Sequence, residues 1–202
     1  HWDRAWYWPF ERFRVKLVEM WSAVKLIWEK YPDYRFSADG QLLCVEVYLE
    51  IFPEDIELFR KMGKDGRLRV GPLYCQNDLY CAGGEALIRN LLTGIEIADD
   101  LNARQDALYM PDSFGHIPCI PMICNGFGID TYIFMRGVND DIDPESRFWF
   151  WESPDGSRVQ IFRLRDGYAN AARLGLHRGT GEIMDKESSE IRPKFKMEFA
   201  VE

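Results

Sequence analysis

His1 and Asp3 stand two residues apart at the start of the chain. In extended backbone, residues i and i+2 project to the same side. One imidazole and one carboxylate then converge, as a divalent-metal site requires. The same spacing also fits unrelated surface groups, and a third ligand about a hundred residues later, also at a strand end, adds weight to the metal reading. Four more polar side chains follow candidate strands: Asp39, Asp78, Asp112 and Arg136. In a parallel α/β sheet, functional groups gather at the carboxyl ends of the strands, so these residues form, with His1 and Asp3, a ring around one mouth. His116, four residues past Asp112, reads first as a core or loop histidine hydrogen-bonded to backbone. His177 falls in a polar, exposed tail. Trp6, Trp8 and Phe10 suit either a core or a platform for the C–H face of a sugar, with Trp6 beside the candidate metal ligands.

The elements that must position these groups follow from periodicity. Phe13, Leu17, Met20, Trp21, Val24, Ile27 and Trp28 recur at helical spacing and predict a helix over 11–30, stopped by Pro32-Asp33. Further helices are expected over 41–51, over 54–62 between Pro53 and Gly63, over 85–101 and over 118–124. Leu87, Ile88, Leu91, Leu92 and Ile95 would form the inner side of the helix over 85–101. Strands are expected over 34–37, 67–74, 107–110 and 131–135, followed by a polar turn region over 138–146. Two last strands, 148–151 and 159–163, frame the turn Ser153-Pro154-Asp155-Gly156. Alternating strands and helices favour an α/β fold with a mostly parallel sheet. The pattern weakens after about residue 165, which divides the chain into 1–165 and an irregular or disordered continuation, 166–202.

Composition narrows the function classes. Of 202 residues, 47% are hydrophobic and 29% charged, an ordinary globular balance with enough apolar material for one sizeable core. The net charge of −8 and pI near 5.0 argue against a nucleic-acid partner, which demands clustered Lys and Arg. No apolar run is long enough to predict a membrane span. Five cysteines without a CxxC read as buried or partly buried free thiols in a reducing compartment, which points to the cytoplasm. No charged leader and apolar run precede His1, so no signal peptide is visible, and the chain reads as a fragment or a processed product.

Several segments, in order, resemble family 38 glycoside hydrolases, the α-mannosidases. The opening His1-Trp2-Asp3-Arg4-Ala5-Trp6-Tyr7-Trp8-Pro9-Phe10-Glu11 looks like the family's first metal motif and first helix. Asp39-Gly40-Gln41 looks like a segment of the bacterial members, and Gly71-Pro72-Leu73-Tyr74 with Asp78, Gly84-Glu85 and Arg89-Asn90 looks like the next. Pro111-Asp112-Ser113-Phe114-Gly115-His116 is similar to the nucleophile motif. The match runs to about residue 163. It implies a seven-stranded β/α barrel, incomplete here, that hydrolyses terminal α-mannosides with retention. It implies that His1, Asp3 and Asp112 hold one divalent metal, zinc first, and that Asp112 attacks the anomeric carbon. Arg136 would stand beside the nucleophile as its counter-ion, and Trp6 would stack under mannose. A retaining glycosidase needs a second carboxyl about 5–5.5 Å from the nucleophile. The family's acid/base carboxylate and last metal histidine come downstream of the nucleophile, and nothing after Asp112 matches either motif. Asp130, Asp140, Asp141 and Asp143 stand in other contexts.

The expectation is therefore half a site, with little or no mannosidase activity from this chain alone. The alternative is a catalytically inactive remnant that at most binds sugar or metal. A metal-dependent carbohydrate deacetylase would need further histidine ligands, and neither His116 nor His177 has HxxxH spacing.

Overall fold

The computed structural model describes residues 9–139, 147–164 and 167–168. The first helix, α1 (Phe10–Lys30), buries Phe13, Leu17, Trp21, Val24 and Trp28, the centre of the apolar stripe; Met20 and Ile27 sit at its half-buried margin. It ends where Tyr31 turns extended ahead of Pro32. Arg67 secures that end by donating to the carbonyls of Trp28 and Tyr31, both at 2.8 Å, which satisfies acceptors that a helix terminus leaves open.

Strand β1 (Phe36–Ala38) leads to α2 (Leu43–Ile51), a turn of 3-10 helix (Pro53–Asp55) and α3 (Ile56–Lys64). Trp21 is fully buried between these elements, its ring 4.9 Å from Phe59 and its indole N–H donating to Cys44 O at 3.2 Å. A large apolar side chain buried in this way contributes about 1.5–3 kcal/mol. Gly63 does not stop α3. It lies inside the helix, where a Cβ would collide with the Leu101 carbonyl oxygen, so its role is close packing and not chain reversal. Beneath the helices, the Asp55 carboxylate accepts from Lys25 Nζ at 2.6 Å and from the Tyr48 hydroxyl at 2.5 Å.

Strand β2 (Leu68–Val70) is shorter than the 67–74 expected, because the chain turns at Gly71 (φ 73) and runs through a cis Gly71–Pro72 bond. Helix α4 (Gly84–Asp100) buries Leu87, Leu91, Gly94 and Ala98. Leu92 is 54% exposed, contrary to its expected inner position. The buried face instead passes through Gly94, where a Cβ would meet the Pro72–Tyr74 backbone. Then come β3 (Ala107–Tyr109), α5 (Ile120–Gly126), β4 (Thr131–Phe134), β5 (Phe148–Glu152) and β6 (Arg158–Arg163).

β1 and β2 pair in parallel, as do β3 with β4 and β4 with β6. A parallel bridge from Val70 to Arg104 links the first pair to the segment entering β3. The expected parallel α/β pattern is thus present, and β5 is the antiparallel exception. It returns through the expected turn, with Gly156 at φ 84 and Ser157 held by the Asp155 side chain. The core of the second sheet includes Leu108, Met110, Tyr132, Phe134, Val159 and Ile161. All five cysteines are free; Cys81 is exposed, against the expectation of buried or partly buried thiols, because it lies in the loop before α4. Residues 166–202 lie almost wholly outside the described residues. Among the described residues, no helix is long and apolar enough to cross a membrane.

Candidate active site

The register of two strands brings Asp112 and Arg136 together. Tyr109 of β3 lies opposite Ile133 of β4, and Met110 N donates to Ile133 O at 2.9 Å. Three residues beyond each partner stand Asp112 and Arg136, both past the carboxyl ends of their strands. Arg136 Nη2 lies 2.6 Å from Asp112 Oδ1, with side-chain exposures of 43% and 16%. An ion pair this open contributes about 0–1 kcal/mol to stability. What it supplies is geometry: a carboxylate held against a fixed cation at the mouth of the sheet. The Arg136 guanidinium also lies 5.1 Å from the Phe114 ring centroid, and Phe114 is 71% exposed.

Beneath the pair, His116 is buried within a cage of rings, 4.4 Å from Phe134 and 5.4 Å from Tyr132. Its Nε2 lies 2.7 Å from the Arg136 carbonyl oxygen and its Nδ1 lies 2.6 Å from the Tyr132 hydroxyl. A carbonyl can only accept, so Nε2 carries the proton and Nδ1 accepts from Tyr132. Burial lowers the imidazole pKa below its usual value, against the opposing effect of the Arg136 carbonyl. The reading of His116 as a histidine hydrogen-bonded to backbone therefore holds.

Gly137, at φ 90, lets the two loops meet: a Cβ there would lie 2.8 Å from Gly115 N, His116 Nε2 and Ser113 O. Tyr80, itself 68% exposed, packs its ring over Gly115 and donates its hydroxyl to His116 O at 3.2 Å.

The neighbouring carboxylates do other work. Asp39 accepts from Gln41 Nε2 at 3.3 Å, and its carbonyl takes a bond from Gln76, which also reaches Tyr109 O. Gln76 thereby ties the end of β1 to the end of β3. Asp78 turns the chain, its Oδ1 accepting from Tyr80 N at 3.1 Å. The loop carrying Gln76 and Asp78 is clamped by Asn90, which accepts from Tyr74 N and Cys75 N and donates to Cys75 O. Asp130 lies at the opposite, amino end of β4, away from Asp112.

His1, Asp3, Trp6, His177, Asp140, Asp141 and Asp143 lie outside the described residues. Among the described residues, no three His, Cys, Asp or Glu side chains gather to hold a metal. Sequence reasoning missed Phe114 and Tyr132. Phe114 carried a signal, an aromatic two residues past a strand-end carboxylate. Tyr132 looked like any apolar strand residue.

Asp112 and Arg136 thus stand paired past the carboxyl ends of adjacent parallel strands, the place where α/β folds gather their functional groups. Residues 1–196 match the family described as "Glycosyl hydrolases family 38 N-terminal domain", and the chain belongs to that family. It is 36% identical over 186 residues to a protein of Halalkalibacterium halodurans named "Putative mannosylglycerate hydrolase", covering 86% of this chain and 21% of that one. It is 30% identical over 164 residues to "Alpha-mannosidase" of Saccharomyces cerevisiae, covering 79% of this chain and 15% of that one. Among solved structures, an alpha-mannosidase from Enterococcus faecalis superposes with a TM-score of 0.79 at 30% identity, covering 84% of this chain and 20% of that one. The chain thus spans about a fifth, or less, of the length of these relatives.

Proposed function

We propose that this chain supplies the nucleophile half of a retaining α-mannosidase site, on part of a seven-stranded β/α barrel. The observation that carries this reading is the 2.6 Å Asp112–Arg136 pair past adjacent parallel strands in a family 38 chain. Asp112 attacks the anomeric carbon and forms a glycosyl ester while the aglycone leaves; water then cleaves the ester. Arg136 holds the carboxylate in place for attack. Trp6 stacks under the sugar ring. His1, Asp3 and Asp112 would hold one divalent metal, and an imidazole with two carboxylates is a donor set suited to zinc. When bound, such an ion would engage sugar hydroxyls and favour ring distortion. The acid/base carboxyl has no counterpart among the motifs recognised here, so the 202-residue chain by itself turns over little or no substrate. Free thiols fit a reducing compartment, as in the cytoplasm.

The test is Asp112→Asn in the intact enzyme, assayed with an aryl α-mannoside and with mannosylglycerate. Turnover should fall on the order of 10³-fold or more, and the hexosyl adduct on the peptide carrying Asp112 should vanish by mass spectrometry. Ordinary turnover by that variant would remove Asp112 from its role. Ordinary turnover by the isolated chain would show that the acid/base group lies within it.

A further inference from the structure

We propose that His116 and Tyr132 are positioning residues that set where the Arg136 guanidinium stands, and through it the attack geometry of Asp112; this rests on the reading of Asp112 as nucleophile. The line of contact is continuous. The Tyr132 hydroxyl, on β4, donates to His116 Nδ1 at 2.6 Å, and His116 Nε2 donates to the main-chain oxygen of Arg136 at 2.7 Å. Arg136 then reaches Asp112 at 2.6 Å.

Each link is constrained by its surroundings. Tyr132 is fully buried and its phenol is kept protonated by desolvation, so it can serve Nδ1 as a donor. His116 is 8% exposed, its ring packed on Phe134. Gly137, next to Arg136, lacks the Cβ that would push His116 Nε2 away. Arg136 beyond this line is 43% exposed, and a long side chain so open keeps one position only if its backbone is fixed. Any buried histidine must satisfy its ring nitrogens; what sets this one apart is which residue it is bonded to. Here both ring nitrogens are used, and one of them holds the residue that pairs with the nucleophile.

The test uses the intact protein and the variants His116→Leu and Tyr132→Phe. Nitrogen-15 NMR of the imidazole should show a neutral ring protonated on Nε2. The guanidinium resonances of Arg136 should show restricted rotation in the parent protein. They should collapse to an averaged signal in His116→Leu, and partly so in Tyr132→Phe. In turnover, His116→Leu should lose about tenfold to hundredfold in kcat with little change in KM, the size expected for a misplacement near 1 Å; Tyr132→Phe should lose less. Should His116→Leu not fold, Tyr132→Phe carries the test by itself. An Arg136 signal and a kcat unchanged in Tyr132→Phe, or an imidazole protonated on Nδ1, overturns the proposal. If the parent protein hydrolyses no α-mannoside, the functional reading falls, while the Arg136 resonances still decide whether His116 and Tyr132 position it.

Discussion

Replacing Gly137 by alanine should injure both stability and turnover, and a second glycine separates the two causes. Gly137 has φ 90, and an added Cβ would stand 2.8 Å from Gly115 N, His116 Nε2 and Ser113 O. Ordinary van der Waals contact at such a place is roughly 3.4 Å or more, so three atoms of the loop after Asp112 must each give way. The backbone contributes about 1–2 kcal/mol for an L residue at positive φ, and the crowding a further 1–3 kcal/mol, roughly. The sum is about 2–5 kcal/mol, a large share of the roughly 5–15 kcal/mol that holds a domain folded. Gly128 is the control. It has φ 68 but nothing within 4 Å of an added Cβ, so Gly128→Ala carries only the backbone part. Denaturant unfolding should place Gly137→Ala about 1–3 kcal/mol below Gly128→Ala. Steady-state kinetics should show a loss of kcat in Gly137→Ala alone, because the displaced His116 no longer holds the Arg136 backbone, and through it the guanidinium, against Asp112. Equal stability and equal turnover in the two variants would refute this account of how the loops are locked.

Lys25→Met should destabilise the protein by about 1–3 kcal/mol in denaturant unfolding, since it strips a charged donor from Asp55, whose side chain is 12% exposed. Adding Asp55→Leu together with Tyr48→Phe should recover much of that loss, because the apolar set leaves neither a buried charge nor the Tyr48 hydroxyl unmatched; no recovery would show that the group is not coupled. Stability should also fall as pH drops below about 6.5, the ordinary histidine value. The His116 pKa is lowered by burial, so between its folded and ordinary values the unfolded chain binds the extra proton and acid favours unfolding. The slope for this one group is at most about 1.4 kcal/mol per pH unit, and it should vanish in His116→Gln. The Asp55 carboxyl, opposed by desolvation but lowered by Lys25 and Tyr48, contributes only in a separate, more acidic window, as pH falls below the ordinary carboxyl value.

Much of the frame was legible in the sequence because it depends on local chemistry. The stripe from Phe13 to Trp28 dictates a helix with one buried face, since 3.6-residue periodicity leaves a single apolar side. The Ser153-Pro154-Asp155-Gly156 turn dictates the β5–β6 hairpin, because only a residue tolerant of positive φ fits at Gly156. Strand ends could be placed within a few residues, and with them Asp112 and Arg136 as candidates. What lay beyond local chemistry was every contact between distant segments. Gly63 looked like a helix stop, and nothing in the local sequence singled out Gly94. Their meaning comes from the backbone of Leu101 and of Pro72–Tyr74, which the fold brings against them. Leu92 looked inward-facing, yet the buried face of α4 runs through Leu91, Gly94 and Ala98 and leaves Leu92 exposed.

For the site, the sequence by itself determined which groups could do chemistry: a carboxylate at Asp112, a cation at Arg136, and a histidine between them in the chain. Only the tertiary structure decided that they stand together. The parallel register of Tyr109 with Ile133 sets Asp112 beside Arg136, and the closing of Gly137 onto Ser113 and His116 makes His116 the support of that pair. Register and loop closure are properties of residues some twenty positions apart in the chain. They are settled by which buried faces fit, and no local periodicity records that.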